Sequence, residues 1–254
     1  MIELIDANNI FRRDFEHVDP TKTQARLSYE GATSNHIYVW DGYDHNARRR
    51  KLFDGYKRRD QTMGEDIFAG LNLMREILSH SPAHQIECKG WEADDVICTI
   101  ALHFAKQGVE VNIQTNDLDY YQIMHQPGIH LDGVKKPDFP AEYVPLYKTL
   151  CGDNSDKIPG IPGFGPKKFE ALSILWPDLC EMFRQKNVDK LRTILGVTPK
   201  IKLWLSDDAN MALLDAYWQI VHIIPVPFDV IEEGWRVGKP NPVEAEKLFT
   251  RFML

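Results

Sequence analysis

The stretch Gly90-Trp91-Glu92-Ala93-Asp94-Asp95-Val96-Ile97 places three carboxylates within four positions, ahead of an apolar run. A helix starting here carries Glu92, Asp94 and Asp95 in its first turn, beside free backbone N–H groups and the positive end of the helix dipole. One carboxylate in that place is ordinary helix-start chemistry. Three crowd like charges together, and each raises the others' pKa unless a cation neutralises them. Further acids recur at or just beyond the ends of apolar runs: Asp6 after Leu4-Ile5, Asp41 after Ile37-Tyr38-Val39-Trp40, and Asp117 and Asp119 after Val109 to Thr115. Asp153 and Asp156 lie in Gly152-Asp153-Asn154-Ser155-Asp156. In open α/β sheets ligand sites form at the carboxyl ends of strands, so acids at several strand ends are expected to converge. These nine oxygen donors include no His or Cys, which suits Mg²⁺, with Mn²⁺ as a substitute, rather than zinc.

The positive charge is also grouped. Arg48-Arg49-Arg50-Lys51 and Lys57-Arg58-Arg59 lie within a dozen residues, with Tyr56 between them. A solvated basic loop, mobile without substrate, is one reading; basic residues with an interleaved aromatic also suit a nucleic-acid strand. Farther on, Ile158-Pro159-Gly160-Ile161-Pro162-Gly163-Phe164-Gly165-Pro166-Lys167-Lys168 sets three glycines and three prolines between two helical stretches. Glycines let a backbone approach a ligand closely, and the N–H groups opening the second helix suit a phosphate, with Lys167 and Lys168 adding charge. The plain alternative is a helix-hairpin turn.

The elements that must position these groups alternate. Residues 2–6, 36–40, 85–88 and 109–115 read as strands. Helices are expected from Glu65 to about His80, where Ile67, Leu71, Met74 and Leu78 recur at helical spacing, and from Glu92 to Gln107. Such alternation argues for a parallel-rich α/β sheet. Residues 14–35 carry no clear pattern. A helix follows around Tyr143 to Leu150, then helical segments near 177–187, 199–206, 208–222 and 241–252, where Trp204, Trp218 and Trp235 read as packing residues.

At 254 residues and 43% hydrophobic content the chain is ordinary for a globular protein. No apolar run reaches membrane-spanning length and no signal peptide opens the chain, so a cytoplasmic protein is expected. Four cysteines without Cys-x-x-Cys spacing read as reduced thiols. A net charge of −7 would disfavour a polyanion partner, but with the nine acids discounted the rest is close to balanced.

With these residues in hand, the chain resembles the 5′-nuclease family: flap endonucleases, phage 5′-3′ exonucleases and the 5′-nuclease domain of bacterial DNA polymerase I. The likeness covers roughly residues 1–175 and rests on Glu92-Ala93-Asp94-Asp95, on Thr115-Asn116-Asp117-Leu118-Asp119, and on Gly152 to Gly160 running into Gly163-Phe164-Gly165. It implies a PIN-like α/β fold with a parallel-rich central sheet, a helix-three-turn-helix element at about 150–172 and a helical C-terminal region. The expected division is a catalytic region over 1–140 and a helical region over 141–254, packed as one compact unit. The implied activity is structure-specific hydrolysis of DNA phosphodiesters near 5′ ends by a monomer, acting on a flap, overhang, nick or gap. The other readings are a DNA-structure-binding module without catalysis and a PIN-like ribonuclease.

The resemblance also implies site roles. Asp6, Asp41, Glu92, Asp94, Asp117, Asp119, Asp153 and Asp156 match the family's acids for two Mg²⁺ ions, with Asp95 adjacent, and Asp94, Asp117 and Asp119 stand nearest the chemistry. Lys57 matches the basic residue on the scissile phosphate. Arg13, Arg49, Arg50, Tyr56 and Arg59 would assist on DNA, and Gly160, Gly163, Gly165, Lys167 and Lys168 would grip duplex backbone, with K⁺ on carbonyls of the turn. The family pattern Tyr-Lys-x-x-Arg is one residue shorter here, and the segment before Glu92 is short for a capped helical arch.

Overall fold

The computed structural model describes residues 1–16, 23–58 and 65–252, without the side chains of 13–16, 23–24, 65–66 and 251–252. Six strands, β1 (Ile2–Asp6), β2 (His36–Trp40), β3 (His84–Glu87), β4 (Val111–Gln114), β5 (Ile129–Asp132) and β6 (Trp235–Val237), form one sheet in the order β5-β4-β1-β2-β3-β6. All neighbours pair parallel except β3 and β6, which run antiparallel with Ile86 opposite Trp235. The helices are α1 (Ala7–Glu16), α2 (Thr23–Glu30), α3 (Ala47–Leu52), α4 (Glu65–Ser79), α5 (Ala93–Lys106), α6 (Val144–Cys151), α7 (Pro166–Ala171) and α8 (Trp176–Arg184). They continue with α9 (Val188–Leu195), α10 (Pro199–Leu205), α11 (Asp208–Ile220), α12 (Phe228–Gly234) and α13 (Pro242–Phe252).

The chain forms two compact units. The first comprises Met1–His45, Arg59–Lys136 and Ile224–Leu254; the second comprises Asn46–Arg58 and Pro137–Ile223. This differs from the expected division at 140 in two places. Residues 224–254 belong to the first unit, because β6 supplies an edge strand to β3 and α13 packs on α4. The basic segment 46–58 belongs to the second.

In the first unit, strand alternation sends Ile5, Tyr38 and Trp40 to one face, where Phe11 of α1, Met74 and Leu78 of α4 and Phe249 of α13 close over them. Trp40 and Phe11 are fully buried and stack with ring centroids 5.9 Å apart. Burying each ring contributes about 1.5–3 kcal/mol. Leu4, Ile37 and Val39 point the opposite way, and α5 packs along β1, β2 and β4. The buried stripe Val96, Ile97, Ile100 and Ala101 is why this segment is a helix against a sheet.

The second unit is helical around its own core, with Leu146, Leu150, Phe169, Leu179, Leu214 and Tyr217 buried together. Trp218 stacks on Phe183, as its reading as a packing residue requires. Within the basic segment Ala47–Leu52 is helical, and Arg49 is buried. Short elements that the periodicity did not announce are α1, α2, α3, α9, α12, β5 and β6. Cys88, Cys98, Cys151 and Cys180 are all free thiols.

Candidate metal centre and nucleic-acid interface

Strand β1 ends at Asp6, and alternation turns its carboxylate to the face of Leu4. Asp6 Oδ1 accepts the Asn9 N–H at 3.0 Å; Oδ2 accepts the Tyr120 hydroxyl at 2.8 Å and the Thr115 hydroxyl at 3.3 Å. Asp41, just beyond β2, accepts the Ala93 N–H at 2.9 Å, so the end of β2 caps the start of α5. The next residue has to be glycine, since a Cβ at Gly42 would lie 1.8 Å from the Cys88 carbonyl oxygen. Glu92 and Asp94 are buried in that same first turn. After β4, Asp117 donates its N–H to Thr115 Oγ1 at 3.1 Å and accepts the Asp119 N–H at 2.9 Å. A cleft of about 200 Å³ lined by Ile5, Ile10, Tyr38, Gln114 and Asn116 lies against Thr115.

These acids share one electrostatic field. Asp6 is pushed up to about 7, first by burial and next by the charge of Asp41, with Asp117 adding to it; the bonds from Asn9 and Tyr120 pull the other way. The buried Cys98 thiol is raised by burial and then by Asp94, Asp95, Asp119 and Asp117. The Tyr120 phenol is raised by burial and then by Asp6 and Asp94. Among the described residues, no three His, Cys, Asp or Glu side chains already form a metal-holding group. The donor set is nonetheless all oxygen, mutually repulsive and, apart from the half-buried Asp41 and Asp117, buried, which fits a hard divalent ion. Such an ion keeps several waters and takes one or two carboxylates directly, so it needs no closed protein cage.

Asp95 has a different task. It is buried, and its Oδ1 accepts the Ile224 N–H at 2.8 Å, while Thr99 of the same helix accepts the Val226 N–H at 3.0 Å. This carboxylate fastens a returning chain segment, which separates it from its acidic neighbours.

In the second unit the acids carry lysine partners. Lys148 Nζ lies 2.6 Å from Asp153 Oδ2, and Lys57 Nζ lies 3.6 Å from Asp156. Burial pushes the Asp153 carboxyl up, but the Lys148 ammonium and the Ser155 hydrogen bonds outweigh it and hold the carboxyl below its usual value. The Lys57 N–H donates to the Asp156 carbonyl at 2.9 Å.

The basic segment divides by helical phase. Arg49 points inward and donates to the carbonyls of Ile220 and His222 at 2.8 and 3.1 Å, closing the C-terminal end of α11. Arg48 and Arg50 are exposed, and Arg50 braces the next turn through the Tyr56 carbonyl at 3.2 Å. Tyr56 is buried in the core, with Lys57 Nζ 5.2 Å from its ring centre, so it supports Lys57 instead of meeting a strand itself. The side chain of Arg13 and the whole of Arg59 lie outside the described residues.

Helices α6 and α7 flank the glycine-rich turn. Gly160 is buried with φ +64°, and a Cβ there would lie 2.4 Å from the Gly152 nitrogen, so its role is to close the turn onto α6. Gly163 is exposed and Gly165 partly so; Lys167 is exposed, and Lys168 Nζ donates to the Gly163 carbonyl at 2.7 Å. Sequence reasoning missed Tyr120, Thr115 and Asn9, which hold Asp6, and Lys148. Their only signal is proximity in space.

Residues 1–144 match the family described as 5′-3′ exonuclease, N-terminal resolvase-like domain. DNA polymerase I of Rhizobium leguminosarum is 30% identical over 188 residues, 68% of this chain and 18% of the polymerase. Flap endonuclease Xni of Shewanella pealeana is 29% identical over 216 residues, 80% of this chain and 79% of that protein. The chain thus spans about a fifth of the polymerase relative and most of the Xni relative. Among solved structures, the flap endonuclease of bacteriophage T5, in a complex with DNA and metal ions, is 18% identical with a TM-score of 0.60, covering 99% of this chain and 96% of that one. The T5 5′-exonuclease with bound divalent zinc gives a TM-score of 0.59 over 99% and 96% of the two chains, again at 18% identity. The fold is accordingly the PIN-like one of these nucleases, and the chain belongs to the 5′-3′ exonuclease family.

Proposed function

We propose that this chain is a structure-specific, divalent-metal-dependent 5′-nuclease that hydrolyses DNA phosphodiesters near 5′ ends, working as a monomer on a flap, overhang, nick or gap. The observation that carries the reading is the grouping of Asp6, Asp41, Asp94, Asp117 and Asp119 at the strand ends and the head of α5: burial and then the charges of Asp41 and Asp117 push Asp6 up to about 7, while Asp94, Asp119 and Asp117 act together on the buried Cys98. Buried like charges persist where a cation compensates them. Asp6, Asp41, Glu92, Asp94, Asp117 and Asp119 would hold a divalent ion in the first unit, and Asp153 and Asp156 would hold or orient another in the second. Oxygen donors favour Mg²⁺, with Mn²⁺ as a substitute. Bound there, the metal supplies an activated water and charge neutralisation at the phosphate.

The chain's own residues do the rest. Lys57, steadied by Tyr56 and Asp156, meets the charge that develops on the scissile phosphate. The exposed Arg48 and Arg50, with Lys167, Lys168, Gly163 and Gly165 around a helix-three-turn-helix grip made by α6, the turn and α7, contact backbone phosphates without reading bases. K⁺ on the carbonyls of this turn would compete with the Lys168 ammonium for Gly163.

The test is a DNA duplex with a labelled 5′ overhang, incubated with Mg²⁺ or with EDTA, beside Lys57→Ala. Cleavage near the junction that needs Mg²⁺ and falls about 10²–10³-fold in the variant supports the reading, the size expected for losing one preorganised electrostatic group. Tight binding without cleavage in Mg²⁺ or Mn²⁺ identifies a structure-binding module instead. Preference for a matched RNA identifies a ribonuclease.

A further inference from the structure

Lys148 sits on α6 with only 5% of its side chain exposed, an unusual place for an ammonium. Burying a charge is costly unless a partner and further hydrogen bonds compensate it. Here the partner is Asp153 Oδ2 at 2.6 Å. The other oxygen, Oδ1, accepts the Ser155 N–H at 2.8 Å, the Ser155 hydroxyl at 2.5 Å and the Asp156 N–H at 3.3 Å. Reciprocal backbone bonds between Asp153 and Ile158, both 2.8 Å, close the same turn. Asp156 then receives the Lys57 N–H at 2.9 Å and faces the Lys57 ammonium at 3.6 Å. Lys57 itself is held at φ +46°, a left-handed conformation that is unfavourable for a residue with a Cβ and persists only where neighbours impose it. A continuous relay therefore runs from Lys148 through Asp153 and its turn to Asp156 and Lys57, entirely within the second unit.

We propose that Lys148 is a positioning residue for the nuclease reaction. Its ammonium is the built-in counter-charge of Asp153, keeps the 153–158 turn folded in the absence of a divalent ion, and thereby holds Asp156 and Lys57 ready for a phosphate. The proposal rests on the reading of Lys57 as the phosphate-contact residue. It carries a corollary: an ion arriving at Asp153 meets a carboxylate that is already neutralised, so the folding of this turn is insensitive to metal.

The test uses the full chain carrying Lys148→Met or Lys148→Arg, with thermal unfolding in EDTA and in Ca²⁺ measured beside kcat and KM in Mg²⁺. Expected for Lys148→Met is a melting temperature lower by at least about 5 °C in EDTA, the scale of an orphaned buried carboxylate. Ca²⁺ should restore more of that loss than any rise it gives wild type, because an ion now takes over the ammonium's role. Its kcat should fall about tenfold or more with KM for DNA within about twofold, since a small displacement of Lys57 costs rate and spares binding. Lys148→Arg should recover most of both. If Lys148→Met does not fold, the double variant Lys148→Met/Asp153→Asn keeps an oxygen for Ser155 without the orphaned charge. It should fold, with a Ca²⁺ response no larger than wild type's. A Lys148→Met protein with wild-type melting and Ca²⁺ response, or an arginine variant as impaired as the methionine one, overturns the proposal. Should wild type itself fail to cleave DNA, the function fails, while the EDTA and Ca²⁺ melting data still decide the role of Lys148.

Discussion

Replacing Asp6 with Asn is expected to stabilise the metal-free protein while removing its chemistry. Asp6 ionises near 7 in the folded chain, because burial comes first and the charges of Asp41 and Asp117 add to it, against 3.8 for an ordinary Asp. The sign follows from proton binding. Between about pH 4 and 7 the folded state holds a proton that the unfolded state releases, so wild-type stability falls as pH rises through that window and levels off above it. The gap between 3.8 and about 7 sets a ceiling of about 4 kcal/mol on the cost of the ionised form. An Asn amide fits the Tyr120 and Thr115 hydroxyls less well than a carboxylate does, which brings the expected net gain to about 1–2 kcal/mol at pH 8. Urea titrations in EDTA, followed by tryptophan fluorescence, measure this. The variant's midpoint should exceed wild type at pH 8 and fall below it near pH 4.5, and Mg²⁺ should raise the wild-type midpoint more than the variant's. A variant no more stable than wild type at pH 8, or a gain that ignores pH, refutes charge repulsion at Asp6.

Arg49→Ala strips donors from the Ile220 and His222 carbonyls and should cost about 2–4 kcal/mol, seen as a lower melting temperature. Exposed Arg48→Ala should leave melting nearly unchanged and lower the salt dependence of DNA binding. Gly160→Ala forces a Cβ into the Gly152 backbone at positive φ and should destabilise by about 2–3 kcal/mol, whereas Gly165→Ala, with open space around it, should stay within about 0.5 kcal/mol in chemical denaturation.

The four buried strands and the two long helices of the first unit were legible because their apolar periods are strong and each is punctuated by a cap or a turn. So were the helices read near 143–150, 177–187, 199–206, 208–222 and 241–252, which α6, α8, α10, α11 and α13 match; α1, α2, α3, α9, α12, β5 and β6 were not, for physical reasons. β5 is four residues and β6 three, and β6 exists only because Trp235 pairs with Ile86 across a long stretch of chain, a contact no local pattern encodes. The candidate metal-site acids could be read because they follow short apolar runs or stand at a helix start. Their supports could not: Tyr120 and Thr115 look like core and turn residues until Asp6 is placed beside them. Lys148 reads as a surface lysine on a short helix, and its burial depends on the turn that follows. Arg49 shows the reverse error. A run of like residues suggests one task, but the helical period sends one of three consecutive arginines inward.

The return of residues 224–254 to the first unit bears on how the protein is made. A ribosome delivering the chain from its N-terminus completes β1 to β5 by residue 132, then must produce the whole segment 137–223 before β6 can cover the edge of β3. At about 5–20 residues per second, that interval lasts roughly 4–18 s. Through it the β3 edge lies open to other strands, and the oxygens of Asp95 and Thr99 await the Ile224 and Val226 N–H groups. The helix that begins with the acid cluster is therefore fastened only after that interval. A nascent chain thus carries the acids well before the segment that fastens the helix bearing them.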